Sequence, residues 1–459
     1  MCASAADAPR RSWSTGVRHI KIRIPENVRT IIAAFEGAGY EACAVGGCVR
    51  DALLGREPQD WDIATSARPE ETKALFRRTV DTGIKHGTVT VLLGSDAYEV
   101  TTYRVDGAYE DGRHPKSVTF TPSLREDLAR RDFTINAMAY SDSLGLVDLF
   151  GGMEDLRAGV IRCVGVPEER FGEDALRILR ALRFSAQLGF TIDPATEAAV
   201  VRLAPTLEKI SAERIREEMT KLLVSDDPGK VRKLYETGIT RVILPEFDVL
   251  METEQDGRYH LFNVGEHTIR VIEHVSADPV MRWTALLHDV GKPRSRQIDE
   301  EKGRIHFKGH GPAGAKLAEE ILRRLKFDNA TIDTAVRLIR WHVTRFERGE
   351  YDIRRCLNEI GPERFPLLTE LQRADAYGKK PETISESLAR IDRVEAMCKE
   401  ILARGDCFRT ADLAVKGADL IAAGMAPGPE MGEILAKMLD DVMREPAHNE
   451  KGYLMRIYT

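Results

Sequence analysis

The sequence predicts an α+β protein in which a mixed α/β head precedes a long all-helical remainder. Segments rich in β-branched residues are typical of strands, and they occur only before about residue 155, as WDIAT at 61–65, TVTVLL at 88–93 and YEVTTYR at 98–104. After about residue 165 the apolar residues recur at helical spacing instead. A chain of 459 residues is also too long for one ordinary core, so several domains are expected.

The elements of the head follow one another in a clear order. An amphipathic helix is predicted over 25–40, and a short apolar run after it ends in Gly46 and Gly47. A helical turn closed by Gly55 comes next, then the three strand-like segments, and the Gly-, Asp- and Pro-rich stretch 106–115 is predicted to be a loop. Beyond the head, helical periodicity covers the segments 173–188, 195–204, 211–224, 228–237 and most of 260–445.

Composition excludes several classes of protein. No run of about 18 apolar residues occurs, and the N-terminal stretch lacks the apolar core of a signal peptide, so we expect a cytoplasmic protein with no membrane partner. The seven cysteines are scattered and form no CxxC pair, which favours reduced thiols over disulfides or a cysteine zinc site. A net charge of −6 argues against a protein that coats long RNA, although local basic patches still bind phosphate.

The string GGCVRDALLGREPQDWDIAT, residues 46–65, carries the chemistry of the head. Gly46 and Gly47 let the backbone approach a triphosphate, and Arg50 follows one turn into the next helix, within reach of a phosphate oxygen. Asp60 and Asp62 flank Trp61 on a predicted strand, so both carboxylates point to one face. Converging carboxylates suit Mg²⁺, and two such ions activate a 3′-hydroxyl and stabilise a leaving pyrophosphate. The third carboxylate expected there is that of Glu99.

The pattern GG…R…DxD resembles the polymerase-β nucleotidyltransferase superfamily. The strings LARRDFTINAMAY at 128–140, LVDLFGGMEDL at 146–156 and FGEDALRILRALRFSAQLGF at 171–190 resemble the class II tRNA CCA-adding enzymes and bacterial poly(A) polymerases. This resemblance covers about residues 25–235 and implies a polymerase-β-like head. It implies triphosphate-binding roles for Gly47 and Arg50, metal binding by Asp60 and Asp62, and contacts of Arg131 with the nucleotide sugar and phosphates. The segment 104–116 resembles the flexible loop of the CCA- and A-adding members.

The EDxxR element at 173–177 resembles the part of the family that selects the incoming base. We expect Asp174 and Arg177 to lie at positions i and i+3 of one helix face. Cytosine and adenine both present an amino donor beside a ring-nitrogen acceptor, which a carboxylate and a guanidinium satisfy. Uracil and guanine reverse that order and leave both side chains unpaired. Arg180 and Arg183 continue the same stripe and are candidates for holding the triphosphate.

A second set of residues lies in the helical remainder, where the adjacent pair His288 and Asp289 interrupts an apolar helix. Burying such a pair is costly unless it binds something. Four further histidines and carboxylates complete a set suited to Mg²⁺, Mn²⁺, Fe or Ni²⁺: His267, His310, His342 and Asp375. Their order along the chain resembles the HD phosphohydrolase superfamily, including its dinuclear members. The resemblance implies a basic set of His267, His288, Asp289 and Asp375, and extra ligands at His310 and His342. Lys292 is a candidate for contact with substrate phosphate.

The resemblance implies an enzyme that adds CCA to tRNA 3′ ends from CTP and ATP, with Mg²⁺ in the head. A divalent transition metal or Mg²⁺ would serve the HD domain in a phosphohydrolase activity. An A-adding enzyme and a bacterial poly(A) polymerase stay open as alternatives, although the mixed charge of residues 425–459 favours tRNA. An HD phosphohydrolase whose head only senses nucleotide is the alternative of another class. The oligomeric state stays open. The expected divisions are a tail (1–24), the nucleotidyltransferase head (25–155), a helical neck and body with the base-selecting helix (156–254), the HD domain (255–380) and a helical C-terminal region (381–459).

Overall fold

A computed structural model describes residues 20–107, 118–257, 260–301 and 303–459. The chain divides into two compact units. The first comprises Met1–Asp174 with the short segment Asp193–Thr196, and the second comprises Ala175–Ile192 with Glu197–Thr459. The finer five-part division of the sequence analysis stays a prediction. Within the described ranges, none of the helices is both long enough and apolar enough to cross a membrane.

The first unit is built on a mixed sheet. Its seven described strands follow the order β3-β4-β5-β2-β1-β8-β9, in which β2 and β5 are parallel and the other described neighbours are antiparallel. Two further strands, β6 and β7, pair with each other. The strands of this unit are β1 (Ala42–Val45), β2 (Ile63–Thr65), β3 (Thr79–Gly83), β4 (Thr88–Leu93), β5 (Asp96–Thr102), β6 (Arg104–Asp106), β7 (Val118–Phe120), β8 (Met138–Ser141), β9 (Gly145–Asp148) and β10 (Val160–Ile161).

Helices of the first unit pack against this sheet. The predicted first helix forms, and the four apolar side chains that define its periodicity are all buried: Val28, Ile31, Ile32 and Phe35. One core cluster contains buried side chains from β1, β2 and β8 and from segments beside them: Cys43, Val45, Ala64, Tyr103, Leu128 and Ala139. The helices of the first unit are α1 (Glu26–Gly37), α2 (Gly47–Leu54), α3 (Pro69–Leu75), α4 (Leu124–Ala129), α5 (Gly152–Ala158) and α6 (Pro167–Glu173).

The second unit is largely helical, as predicted, but it is not all-helical. A short hairpin of β12 (Gln297–Asp299) and β13 (Arg304–His306) interrupts the helices, and β11 (Thr191–Ile192) follows the first of them, Leu176–Leu188. Strands of two or three residues are too short to give a period-2 signal, which is why the sequence analysis missed them. The helices after α6 are α7 (Leu176–Leu188), α8 (Pro194–Leu203, which begins in the 193–196 segment of the first unit), α9 (Ala212–Leu223), α10 (Val231–Glu236), α11 (Thr240–Ile243), α12 (Pro245–Met251), α13 (Val264–His274), α14 (Pro279–Leu287), α15 (His310–Arg324), α16 (Asn329–Trp341), α17 (Glu350–Ile360), α18 (Phe365–Tyr377), α19 (Pro381–Arg404), α20 (Gly417–Ala422), α21 (Pro429–Arg444) and α22 (Lys451–Tyr458).

Two local predictions about candidate site residues are wrong. Strand β2 begins at Ile63, so Asp60 and Asp62 lie in the segment that enters the strand and not on the strand itself. The helix predicted over 173–188 is broken: α6 ends at Glu173, Asp174 has extended backbone angles (φ −140°, ψ 104°), and α7 begins at Leu176. Asp174 and Arg177 therefore do not share one helix face. Aspartate favours helix ends over helix interiors, while the apolar spacing runs on through the break and conceals it.

Candidate active sites

The turn between β1 and α2 requires glycine. Gly46 has φ 82° and ψ −130°, angles that residues with a side chain rarely adopt. A Cβ atom at Gly46 would lie 2.7 Å from Nη1 of Arg131. Gly47 begins α2, and a Cβ atom there would lie 3.7 Å from Nη2 of Arg50. The glycine turn therefore brings backbone that carries no side chain directly beside two arginine side chains, with Gly46 buried and Gly47 partly exposed.

Both arginines are held in place by hydrogen bonds. Arg50 is buried, donates from Nη1 to Oδ1 of Asn136 at 2.7 Å, and donates from Nε and Nη2 to the Asp51 carboxylate at 2.9 Å each. The Asn136 amide in turn donates to Oδ1 of Asp132 at 3.0 Å. Arg131 donates from Nη2 to Oδ2 of Asp127 at 3.3 Å. The structure thus brings together the three residues predicted to hold triphosphate and sugar, namely Gly47, Arg50 and Arg131.

The Asp127 carboxylate holds Arg131 in place beside the glycine turn. It is fully buried on α4 and also accepts from Nη2 of Arg130 at 2.7 Å. Burial alone would raise the pKa of Asp127, but the two neighbouring guanidinium groups outweigh it and hold the pKa below its usual range. The carboxylate is therefore ionised at neutral pH and fixes the two arginines electrostatically.

The three predicted metal-binding carboxylates lie at the edge of the same turn. The backbone oxygen of Asp62 accepts from Val45 N at 3.0 Å, one residue before Gly46. Strands β2 and β5 pair in parallel with Ile63 opposite Val100, a register that sets Asp62 beside Glu99. The side chains of Asp60, Asp62 and Glu99 are exposed to solvent. Their oxygens do not all approach within 4.8 Å of one another. Among the described residues, these three carboxylates therefore lie near each other but do not form a closed ligand cluster.

The environment of Asp62 is nevertheless unusual for an exposed carboxylate. Desolvation by the surrounding protein raises its pKa, Arg131 opposes that shift, and Asp60 adds to it. Arg131 is therefore close enough to Asp62 for its positive charge to lower the pKa of that carboxyl group. Hard oxygen ligands beside an arginine suit a divalent cation that carries phosphate groups, and this donor set fits Mg²⁺.

The residues of the EDxxR element divide between the two units. In the first unit, Glu173 forms an ion pair with Arg170 at 2.5 Å. In the second unit, Arg177 and Arg180 are half-buried on α7, whereas Arg183 is buried and lies 2.9 Å from the buried Glu218 carboxylate of α9. This ion pair directs the Arg183 charge into the helical interior. The base-selecting role of Asp174 and Arg177, and the triphosphate role of Arg180 and Arg183, stay predictions. Residues 108–116 of the predicted flexible loop lie outside the described residues.

The second unit contains a compact cluster of histidines and carboxylates around Asp289. Its Oδ2 lies 3.1 Å from Nε2 of His288 and 3.5 Å from Nε2 of His267, and its Oδ1 lies 3.5 Å from His310 and 3.6 Å from His342. Asp375 Oδ1 lies 3.0 Å from the same nitrogen of His267. All six predicted ligands therefore meet at one place, although they come from α13, the end of α14, the start of α15, the end of α16, and α18.

Backbone carbonyls fix the tautomer of the histidines. The Nδ1 atoms of His288, His310 and His342 donate to the carbonyl oxygens three residues earlier, at 2.8, 2.6 and 2.7 Å. His267 donates from Nδ1 to the Gly378 oxygen at 3.0 Å. A carbonyl only accepts, so the proton of each neutral ring sits on Nδ1 and the Nε2 lone pair faces the cluster. This is the orientation that metal-binding histidines adopt.

Two lysines neutralise the carboxylates of this cluster. Lys292 Nζ lies 2.6 Å from Asp289 Oδ2, and Lys379 Nζ lies 2.5 Å from Asp375 Oδ2. Burial would raise the pKa of both aspartates, but their cationic and histidine neighbours outweigh it, and both pKa values lie well below the usual range. Burial lowers the pKa of His267 and lowers that of His310 to about 4, which keeps these rings neutral. Burial would lower the pKa of His288, but the Asp289 carboxylate beside it outweighs burial and raises that pKa, so metal binding there would release a proton. Ionised carboxylates together with the neutral rings of His267 and His310 fit a divalent cation.

A cavity of about 620 Å³ opens over the cluster. Lys292 is one of its lining residues, as expected for a candidate phosphate contact. The sequence analysis missed four other cationic side chains that line it: Arg304, Arg345, Lys379 and Arg390. Of these four, only Lys379 could have been predicted from the sequence, because it follows Asp375 by four residues and such a spacing on a helix brings two side chains together. A phosphate-bearing ligand suits this combination of a metal-type cluster and surrounding positive charge.

Three protein-family models match successive parts of the chain. The model described as "Poly A polymerase head domain" matches residues 42–162. The model described as "Probable RNA and SrmB- binding site of polymerase A" matches residues 189–251, and the HD domain model matches 258–397. The glycine turn therefore belongs to a nucleotidyltransferase head, together with the arginines and carboxylates beside it on the mixed sheet. The histidine cluster belongs to an HD domain.

Whole-chain relatives narrow this class further. The CCA-adding enzyme of Lactiplantibacillus plantarum is 36% identical over 93% of this chain and 94% of its own length. That of Leuconostoc mesenteroides is 37% identical over 90% of each chain. The crystal structure of the Bacillus stearothermophilus CCA-adding enzyme in complex with CTP matches with a TM-score of 0.68 at 32% identity, covering 93% of this chain and 96% of that one. The chain belongs to the family of CCA-adding enzymes. Its predicted fold class and its nucleotidyltransferase activity are confirmed.

Proposed function

We propose that this protein adds C, C and A to the 3′ end of tRNA, taking CTP and ATP as substrates. One observation carries the proposal: the glycine turn, Arg50 and Arg131 form one arrangement beside Asp62 and Glu99 in the head. The name of the relatives, CCA-adding enzyme, supports the addition of C, C and A. The tRNA acceptor follows from the family resemblance of the sequence motifs. Contacts that serve every tRNA would be directed to phosphates and not to particular bases.

The residues of the head have distinct tasks in this proposal. The backbone at Gly47 and the Arg50 guanidinium bind the triphosphate, and Arg131 contacts the sugar and phosphates. Asp60, Asp62 and Glu99 would hold Mg²⁺, which when bound stabilises the charge of the leaving pyrophosphate. The buried hydrogen bonds from Arg50 to Asn136 and from Arg131 to Asp127 keep these cations fixed before the nucleotide arrives, which limits the entropy lost on binding.

Selection of the base is assigned to Asp174 and Arg177. A carboxylate accepts from the exocyclic amino group of cytosine or adenine, and a guanidinium donates to the neighbouring ring nitrogen. Uracil and guanine would leave both groups unpaired, at about 1–3 kcal/mol for each buried group. Two side chains are therefore sufficient to accept CTP and ATP without a nucleic-acid template. Arg180 and Arg183 remain our candidates for holding the triphosphate, and the Glu218 carboxylate 2.9 Å from Arg183 would position that side chain.

Primer extension tests this proposal. A tRNA that ends at its discriminator base is incubated with Mg²⁺ and with CTP, ATP, both, or both together with UTP and GTP. The proposal expects addition of C, C and A, followed by a stop. Addition of A alone to a tRNA ending in CC would mean an A-adding enzyme, and unlimited A addition to any RNA would mean a poly(A) polymerase. No extension at all would favour an HD phosphohydrolase with a nucleotide-sensing head.

We further propose that the HD domain hydrolyses phosphorylated RNA 3′ ends such as 2′,3′-cyclic phosphates, which would block extension. The observation that favours it is the cavity above the Asp289 cluster, lined by lysines and arginines. His267, His288, His310, His342, Asp289 and Asp375 would hold one or two divalent ions, which when bound supply an activated water. The water oxygen adds to phosphorus, the bond from phosphorus to the ribose 3′ oxygen breaks, and that oxygen takes up the proton that water gives up, leaving a 2′-phosphate monoester and a free 3′-hydroxyl.

A crossed pair of variants separates the two activities. Asp289→Asn is expected to stop cleavage of the cyclic phosphate and to leave extension of an ordinary tRNA intact, while Asp62→Asn has the opposite effect. Each variant is the other's control for folding. If Asp289→Asn opens 2′,3′-cyclic phosphates as fast as the parent, the hydrolase proposal is wrong.

A further inference from the structure

Lysine and arginine side chains outnumber the carboxylates among the described residues that line the HD cavity. Its lining includes five cationic side chains, of which Lys292 and Lys379 already contact the two carboxylates of the ligand set. The other three are Arg304, Arg345 and Arg390. Among the described lining residues, two carboxylates lie outside the ligand set, those of Asp256 and Glu386. The five cations therefore exceed the four lining carboxylates by one before any divalent ion binds. A bound divalent ion would serve the reacting phosphate, which leaves the three arginines to interact with neighbouring anionic groups.

The three arginines come from separate elements around the opening. Arg304 lies on β13, Arg345 follows the ligand His342 beyond the end of α16, and Arg390 lies on α19. Arg304 and Arg345 are exposed and Arg390 is half-buried, and no salt bridge joins any of them to another residue in the described ranges. Other arginines of the same unit are ion-paired, including Arg324 with Glu246 and Arg373 with Asp392. We call these three residues the arginine rim.

One face of α19 adds hydroxyl groups to this rim. Thr383, Ser387 and Arg390 follow one another at helical spacing and all line the cavity. Apart from histidines, Phe307 is the aromatic residue among the described lining residues, and Lys292 Nζ lies 5.5 Å from its ring centroid. The lining rings outside the predicted ligand set are those of Phe307, His260 and His306, and the described lining contains no Trp or Tyr side chain, so charged and hydroxyl groups predominate. Recognition is therefore directed at phosphates, whatever the base.

We propose that the HD cavity takes the 3′ end of an RNA strand in preference to a free mononucleotide, with the arginine rim binding the phosphodiester groups that precede the reacting phosphate. This inference rests on the proposed hydrolase function. A volume of about 620 Å³ is within the range of roughly 300–1,000 Å³ that holds one small organic ligand, so one terminal nucleotide fits inside. The rest of the strand leaves through the opening, where the rim lies. Binding by phosphate contacts alone would let the domain accept any RNA end.

The test compares two substrates that share the same reacting group: adenosine 2′,3′-cyclic phosphate and the trinucleotide CpCpA ending in a 2′,3′-cyclic phosphate. The full-length parent is expected to cleave the trinucleotide with the higher kcat/KM. Arg304→Gln, Arg345→Gln and Arg390→Gln should each lower kcat/KM for the trinucleotide by about 2- to 5-fold, as for exposed ion pairs, and leave the mononucleotide unchanged. Each should also reduce the slope of log affinity against log salt by about 0.7, as expected for one single-strand phosphate contact. Arg393→Gln, an exposed arginine of α19 outside the cavity lining, is the matched control.

A second measurement does not depend on hydrolysis. Binding of a fluorescent CpCpA with a 3′-phosphate is followed by anisotropy for the parent, for the triple rim variant and for Arg393→Gln. Weaker binding of the rim variant alone supports the proposal. Equal kcat/KM for both cyclic substrates, or equal losses on both, overturns the rim assignment while the hydrolase function stands. If neither substrate is cleaved, the hydrolase function fails, and unchanged binding by the rim variant then overturns this inference as well. Displacement of the trinucleotide by adenosine 3′-phosphate more readily than by RNA ending in a 3′-phosphate would identify a free nucleotide as the occupant and refute it.

Discussion

Replacing Gly46 with alanine tests how the head builds its glycine turn. The backbone at Gly46 has φ 82°, and holding a residue with a side chain in such a strained region costs about 1–3 kcal/mol. The new Cβ would lie 2.7 Å from Nη1 of Arg131, so this arginine must move. Movement weakens its 3.3 Å contact with the buried Asp127 carboxylate, which costs about 1–3 kcal/mol more. We therefore expect Gly46→Ala to lower the free energy of unfolding of the head by about 2–6 kcal/mol.

The adjacent glycine supplies the matched control. Gly47 lies inside α2, and its added Cβ would make an ordinary contact of 3.7 Å with Arg50. Alanine is favoured over glycine in a helix by up to about 1 kcal/mol, so Gly47→Ala should be as stable as the parent or more stable. Its extra methyl group occupies the place proposed for the triphosphate, so the affinity for CTP should fall by about tenfold or more.

Hydrogen exchange of the segment 42–54, followed by mass spectrometry at rising urea concentrations, reports the unfolding of the head alone. Calorimetric titration with CTP gives the affinity of each variant. The reasoning is refuted if Gly46→Ala unfolds within about 0.5 kcal/mol of the parent, the range of ordinary surface substitutions. It is also refuted if Gly47→Ala binds CTP as tightly as the parent does, because the turn would then not approach the triphosphate.

Three further predictions follow from the ion pairs and the HD cluster. Asp289→Asn should weaken divalent-metal binding by the second unit by at least about 10-fold, because its oxygens are central to the cluster, and metal content after dialysis would show it. Because the folded-state pKa of Asp127 is lowered, its stabilising contribution is complete above the unfolded pKa of about 3.9 and is lost as pH falls through the lower folded value. Urea midpoints should therefore fall more steeply below about pH 4 for the parent than for Asp127→Asn, and parallel curves would contradict this. Glu218→Ala should cost up to about 3–5 kcal/mol by removing a carboxylate that pairs with the buried Arg183 charge, and Arg183→Met with Glu218→Leu should restore most of that stability in thermal melts.

Much of the head could be predicted because its chemistry is local in sequence. Gly46, Gly47 and Arg50 follow each other within one turn of chain, so their proximity hardly depends on the rest of the fold. The approach of Arg131 to this turn was expected from the family resemblance alone. Only the structure shows that Asp127 and Asn136 hold the two arginines, since hydrogen bonds between distant segments leave no periodic pattern.

The errors arose where the local pattern was ambiguous. Apolar side chains continue at helical spacing from α6 into α7, so the break at Asp174 could not be read from hydrophobicity. Asp62 lies one residue before β2, a difference within the ordinary uncertainty of strand ends. The β12–β13 hairpin is too short to contrast with the helices around it, and with it the sequence analysis missed Arg304 as part of the HD cavity.

By itself the sequence determined which chemical groups this protein possesses and the order in which they occur. Helical and strand periods, glycine pairs and adjacent His–Asp residues reflect interactions between near neighbours, which spacing alone controls. The tertiary structure decided which of these groups meet. His267 and Asp375 are more than a hundred residues apart, yet their side chains lie 3.0 Å from each other. The packing of α13 against α18 sets that distance. The packing of the helices likewise brings Lys379, Arg345 and Arg390 to one cavity. Such contacts depend on the way whole helices pack, which is a property of the complete core and not of any one segment.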